Sequence, residues 1–140
     1  MTEVDFTPNP AANDFTAPFW RSGLEGILRL QRCARCRHIR YPLSTICPRC
    51  LDPGYEWTPL SGRGTVQTFV TFDRTYHEAW AGAAPYVVAL IELAEGPVML
   101  SNVIGTPPDR IKVGDPVSVA YERRSANAAL PQFRLTGGAQ

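Results

Sequence analysis

What this chain lacks narrows its function before any motif is read. No apolar run approaches the roughly 18 residues that a helix needs to cross a bilayer. The N-terminus has neither the basic start nor the apolar stretch of a secretory signal. A soluble, cytoplasmic protein is therefore expected. Charge of one sign is not in excess either: 14 Lys and Arg stand against 13 Asp and Glu, a formal net charge of +1, so the chain as a whole is no polycation. There are only four cysteines and two histidines, which leaves few groups for nucleophilic or general-base work. No helix start follows Gly62-Arg63-Gly64, so these glycines read as a turn or bulge into a strand and not as a phosphate cradle. With 140 residues, 44% of them hydrophobic, the chain can bury one modest core beside a small appendage.

The four cysteines are the most specific feature present. They form two C-x-x-C pairs, Cys33-Cys36 and Cys47-Cys50, with ten residues between the pairs. A two-residue gap lets each pair offer two sulfurs to one point, and two such pairs supply the tetrahedral set of a zinc ribbon. A dithiol redox site uses one pair, and a secreted disulfide framework scatters its cysteines more widely. Four thiolates close the coordination sphere, so the expected Zn²⁺ is structural, without the open position that catalysis needs. His38 lies inside the loop and is not needed as a ligand. Arg29, Arg32, Arg35, Arg37, Arg40 and Arg49 crowd the same segment, where they offset the formal −2 charge of a Zn(Cys)₄ centre.

Around this ribbon the chain divides into a flexible arm (1–17), an N-terminal helix and ribbon (18–57), a barrel (58–136) and a tail (137–140). In the segment from Phe19 to Gln31, the residues Phe19, Trp20, Leu24, Ile27, Leu28 and Leu30 approach a helical stripe that Gly23 and Gly26 weaken, so a short helix passing into a strand that enters the ribbon is expected. Beyond Gly64 the pattern is β. Thr65 to Phe72 alternates, with Val66, Thr68, Val70 and Phe72 on one face. Tyr86–Leu93 and Pro97–Ile104 read as a hairpin, and Pro116–Tyr121 and Gln132–Leu135 as two further strands. Five short strands without helices between them predict a mainly β fold, a five-stranded OB-fold barrel after a rubredoxin-like ribbon.

No catalytic constellation stands out. The stretch Asp73 to Trp80 gathers Arg74, Tyr76, His77 and Trp80 between the first two barrel strands, where OB-folds often contact ligands. An enzyme would use His77 as a base oriented by Asp73 or Glu78, whereas an exposed loop with solvated charges needs no function at all. Phe19 and Trp20 suit a partner groove, the preceding helix having no obvious internal partner, or packing onto the barrel. Tyr55 and Trp57 are assigned to the core. Nucleic-acid binding is the rival function, since ribbons and OB-folds both serve it. From Thr65 onward, however, six cations face seven acidic residues, which is a poor backbone-tracking groove.

The order of motifs resembles a family of zinc-ribbon plus OB-fold acyl-CoA-associated proteins, long catalogued as a domain of unknown function. The likeness runs from Phe19-Trp20 through Leu30-Gln31-Arg32-Cys33, Ile39-Arg40-Tyr41-Pro42, Cys47-Pro48-Arg49-Cys50 and Leu60-Ser61-Gly62-Arg63-Gly64. It continues with Tyr76-His77, Pro85-Tyr86, Glu95-Gly96-Pro97, Leu100-Ser101-Asn102, Ile111-Lys112-Val113-Gly114 and Gln132-Phe133-Arg134. The resemblance implies a non-catalytic subunit of a hetero-oligomer, bound to a thiolase-like, aldolase-like or hydratase partner that carries the nucleophile. Phe19, Trp20, Arg74, Tyr76, His77, Trp80 and Tyr86 are the residues expected to meet that partner or the acyl-CoA.

Overall fold

The computed structural model describes residues 15–73, 85–125 and 128–136. Helix α1 (Ala17–Ser22) runs into a 3-10 turn at Gly23–Glu25 and then strand β1 (Leu28–Cys33). The short helix passing into a strand, as expected between Phe19 and Gln31, changes over at a definite residue. Gly26 takes a left-handed φ of 75° and ends the turn, which releases the chain into an extended strand. Leu28 and Leu30 then point inward with a period of two, at 1% and 0% exposure. The helix has an internal partner after all. It packs against β1 and the last barrel strand, and Phe19 is buried.

β1 is the centre of a three-stranded antiparallel sheet, flanked by β2 (Ile39–Arg40) and β3 (Tyr55–Leu60). Gln31 lies opposite Arg40, Cys33 opposite Tyr55, and Leu28 opposite Leu60. The chain then enters a closed barrel of β4 (Arg63–Phe72), β5 (Tyr86–Leu93), β6 (Val98–Ile104), β7 (Pro116–Ser125) and β8 (Ala128–Leu135). Its order is β4-β5-β6-β8-β7, with β7 returning to β4. The closing β6–β8 contact is parallel, with Val103 beside Phe133, and the other pairs are antiparallel. This is the five-stranded Greek-key arrangement of an OB-fold.

Two strand expectations need correction. Simple alternation put Val66, Thr68, Val70 and Phe72 on one face, but the pairing with β5 slips between Val66 and Thr68. That bulge inserts one residue and inverts the phase, so Val66 and Phe69 pack on the core while Val70 is 55% exposed. The last two strands are also longer than Pro116–Tyr121 and Gln132–Leu135. They form a long hairpin in which Ala128 and Ala129 are buried.

One apolar cluster joins ribbon to barrel. Phe19, Leu28, Leu30 and Leu60 pack in continuity with Val66, Val87, Ile91, Leu93, Met99, Val117 and a fully enclosed Phe133. Burial raises the Tyr41 hydroxyl above its ordinary value, opposed by the backbone N–H of Leu100 on β6. Gly23 makes the helix seat possible, because a Cβ there would lie 2.6 Å from Cδ1 of Tyr121. Gly23→Val is accordingly expected to lower stability by about 1–3 kcal/mol through overpacking. Denaturant unfolding checks this, and a midpoint equal to wild type would refute the tight seat.

Candidate metal centre

Both cysteine pairs are built by the same local turn. The N–H of Arg37 donates to the Cys33 carbonyl at 3.0 Å, and the N–H of Leu51 donates to the Cys47 carbonyl at 2.9 Å. Each turn ends in a left-handed residue, Arg37 at φ 69° and Leu51 at φ 66°. Within the turns, backbone N–H groups aim at sulfur: those of Arg35 and Cys36 at Cys33 Sγ, and that of Arg49 at Cys47 Sγ, all at 3.4 Å. The four Sγ atoms lie within 4.8 Å of one another. Cys33 Sγ is 3.5 Å from Cys50 Sγ, and Cys36 Sγ is 3.6 Å from Cys47 Sγ.

These separations identify the chemistry. A disulfide requires about 2.05 Å between sulfurs. Metal–thiolate bonds of about 2.3 Å in a tetrahedron place the sulfurs roughly 3.8 Å apart. The four cysteines therefore form a metal site, and His38 is not among the converging donors.

The N–H groups prepare thiolates for a cation. The Cys33 thiol is lowered to about 6, chiefly by the N–H of Cys36, against an opposing effect of burial. For Cys47, burial pushes the thiol up, but the N–H groups of Cys50 and Arg49 outweigh it and the net shift is downward. At Cys50 the N–H of Asp52 pulls the thiol down, yet desolvation and the three neighbouring sulfurs raise it to about 11. Four negative charges do not share such a volume without a metal. Burial, then the Arg49 and Arg40 cations, hold the His38 ring below its ordinary value.

A buried polar frame, which motif spacing does not reveal, supports the site. Gln31 and Arg40 are 0% and 1% exposed and lie side by side in the β1–β2 pairing. The Ser44 N–H donates to Gln31 Oε1 at 2.8 Å, and Arg40 Nη1 donates to the Ser44 carbonyl at 2.8 Å. Arg40 Nη2 donates to the Gly54 carbonyl at 3.4 Å, and the guanidinium sits 5.2 Å over the Tyr55 ring. The loop between the pairs is thus gripped from below. The alternating apolar and polar residues of β1 hint at a strand, but nothing in them signals that Gln31 is buried.

Of the other candidate residues, the structure describes Phe19, Trp20 and Tyr86. Phe19 is buried, with its ring edge-on to Trp20 at 4.8 Å, and Trp20 is half-buried. Tyr86 begins β5 and stacks on Phe72 at 5.2 Å. Arg74, Tyr76, His77 and Trp80 lie outside the described residues. Tyr55 and Trp57, assigned to the core, are half-buried and meet edge-on at 5.8 Å. A recess of about 220 Å³ beside α1 is lined by Gly23, Leu24, Tyr121, Arg123 and Ala129. It is smaller than the roughly 300–1,000 Å³ of ordinary small-molecule pockets.

Ribbon, short helix and closed barrel together define a class, the zinc-ribbon/OB-fold proteins. Residues 20–56 match the model of the ChsH2 rubredoxin-like zinc ribbon domain, and residues 57–122 match that of the ChsH2 C-terminal OB-fold domain. A DUF35 domain-containing scaffold protein of Methanothermobacter thermautotrophicus is 32% identical over 66% of this chain and 69% of its own length. A probable enoyl-CoA hydratase alpha subunit of Thermomonospora curvata is 34% identical over 91% of this chain, which spans only 39% of that relative. A solved structure described as the Ltp2-ChsH2(DUF35) aldolase superposes with a TM-score of 0.80 at 33% identity, covering 91% of this chain and 98% of the other. The chain belongs to the DUF35 family.

Two outcomes follow for the metal centre. Cys47→Ser is expected to abolish stoichiometric metal binding and unfold the ribbon, because metal binding supplies folding free energy there. Metal analysis with circular dichroism checks it, and a folded, metal-free variant would contradict it. Zinc is held by thiolates, so metal uptake near neutral pH should release protons and the apparent affinity should fall as pH is lowered. Calorimetry in buffers of different ionisation enthalpy reads the release, and uptake without proton release would refute thiolate ligation.

Proposed function

We propose that the chain is a non-catalytic accessory subunit that binds a thiolase-like, aldolase-like or hydratase acyl-CoA enzyme, with a structural Zn²⁺ in its ribbon. The observation that carries this reading is the convergence of all four cysteines on one point. That arrangement uses every cysteine of the chain, so no thiol is left for thioester chemistry and no ligand position is left for substrate. Cys33, Cys36, Cys47 and Cys50 would hold the zinc, whose contribution is to fix the two turns and the strands that carry them. The partner supplies the nucleophile, and the barrel helps to hold the acyl-CoA against it. The names borne by relatives, a scaffold protein, a hydratase alpha subunit and an aldolase assembly, support an accessory place beside an enzyme. Reduced thiols suit a cytoplasmic setting, and no helix among the described residues is long and apolar enough to cross a membrane.

The test is co-purification. The tagged chain, isolated from its host extract, should carry one zinc and an acyl-CoA enzyme in stoichiometric yield. Acyl-CoA turnover should reside in the complex and be absent from the chain alone. Turnover by the isolated chain, or stoichiometric iron in place of zinc, would overturn the corresponding part of the proposal.

A further inference from the structure

We infer that the tip of the ribbon is the surface by which this chain docks on a carboxylate-rich face of its enzyme partner, with Arg35, Arg37 and Arg49 as a cationic rim around exposed Leu51 and Ile46. The inference rests on the accessory-subunit reading and deepens it by assigning one surface and the chemistry that fits it.

Charge is the first argument. Between Glu25 and Asp52 the sequence carries six arginines and no acidic residue. Two of the six are occupied: Arg29 pairs with Glu25 at 3.0 Å, and Arg40 is buried against carbonyl oxygens. Arg32 is half-buried and lies opposite Glu56 in the β1–β3 pairing. Arg35, Arg37 and Arg49 are exposed, with no carboxylate beside them among the described residues. A divalent ion with four thiolates offsets only about two of the six charges, and its sulfurs already receive backbone N–H groups. A local excess of positive charge therefore faces solvent at this end of a nearly neutral molecule.

Backbone conformation is the second. Arg37 and Leu51 follow the two cysteine pairs at equivalent positions, both left-handed. Glycine is the residue that this conformation favours, and a bulky side chain there is strained. Stability alone would place glycine at both sites. The chain instead places an arginine at one and a leucine with 67% exposure at the other, with Ile46, 44% exposed, next to Cys47. Strain kept where it adds no internal packing points to an external contact.

The mixture of groups selects the partner. Exposed apolar and cationic side chains share the two turns whose sulfurs converge; protein interfaces combine apolar and polar groups in this way, with arginine enriched and lysine depleted. Of the chain's 14 cations only Lys112 is a lysine, and it lies outside the ribbon. A surface that tracks a phosphate backbone would extend its charge along the barrel, where acidic residues balance the basic ones.

The experiment uses the full zinc-loaded chain and the purified acyl-CoA enzyme that co-purifies with it. Arg37→Gly and Leu51→Gly should keep one metal and melt no lower than wild type, because each relieves a left-handed side chain. Each should weaken the Kd for the enzyme by about tenfold or more, the size expected for an interface anchor. Arg35→Ala and Arg49→Ala, at positions without a left-handed φ, should weaken binding and flatten its salt dependence. These two carry the test if a glycine variant loses metal. Wild-type affinity in all four variants would overturn the docking surface and leave the accessory reading standing. If no acyl-CoA enzyme binds the wild-type chain, both fall. Salt-sensitive binding of a 20-base-pair DNA duplex, lost in the same variants while enzyme binding is kept, would overturn the protein-partner assignment in favour of phosphate.

Discussion

The convergence of four sulfurs on one point is the constraint from which the N-terminal third of the molecule takes its shape. Between Gln31 and Pro59 the apolar cluster is reached only by partly buried residues, Ile39, Tyr41, Leu43 and Trp57. Two short turns and a two-residue strand bury too little to hold themselves together, since small units need a staple. The metal site replaces a core there. Its N–H to sulfur contacts also fix the turns, so the same few residues shape the backbone and bias the Cys33 and Cys47 thiols towards ionisation.

That local rigidity reaches the barrel through two strands. β1 ends at a ligand, Cys33, and begins at Leu28 in the shared core, while β3 runs beside it from Tyr55 to Leu60. Arg40 and Gln31 hold both sides of Ser44, so the loop carrying the second cysteine pair is referenced to β1 by hydrogen bonds. Burying a guanidinium is unfavourable unless its donors are used. Here two carbonyls and the Tyr55 ring receive it, although Arg40 Nε and Gln31 Nε2 have no partner among the described residues.

Much of this was legible in the sequence, for identifiable reasons. Metal spacing depends on two-residue gaps within one short segment, and strand count depends on period-two patterns, so both survive without tertiary information. What failed to show were effects of contacts between distant residues. The α1 helix looked unpartnered because β8, which receives it, lies more than a hundred residues away. The β4 bulge left no mark on an alternating stretch whose two phases are both apolar enough to be buried, and only the pairing with β5 decides between Phe69 and Val70. Gln31 and Arg40 look like surface residues in sequence. Their burial follows from facing each other across the β1–β2 pair and from the loop that closes over them.

Closure of the barrel limits how anything can attach to it. β7 returns to β4 at Arg63–Thr65, and β6 joins β8 in parallel at Val103 and Ile104. At these closing contacts a second polypeptide cannot extend the sheet by strand addition, the route that open edges invite. The ribbon sheet has two borders: β2, only two residues long, and β3, six residues long and carrying Pro59, which offers no N–H. Of the two only β3 has the length to template another strand, so edge-to-edge pairing at the ribbon is confined to one side of its sheet.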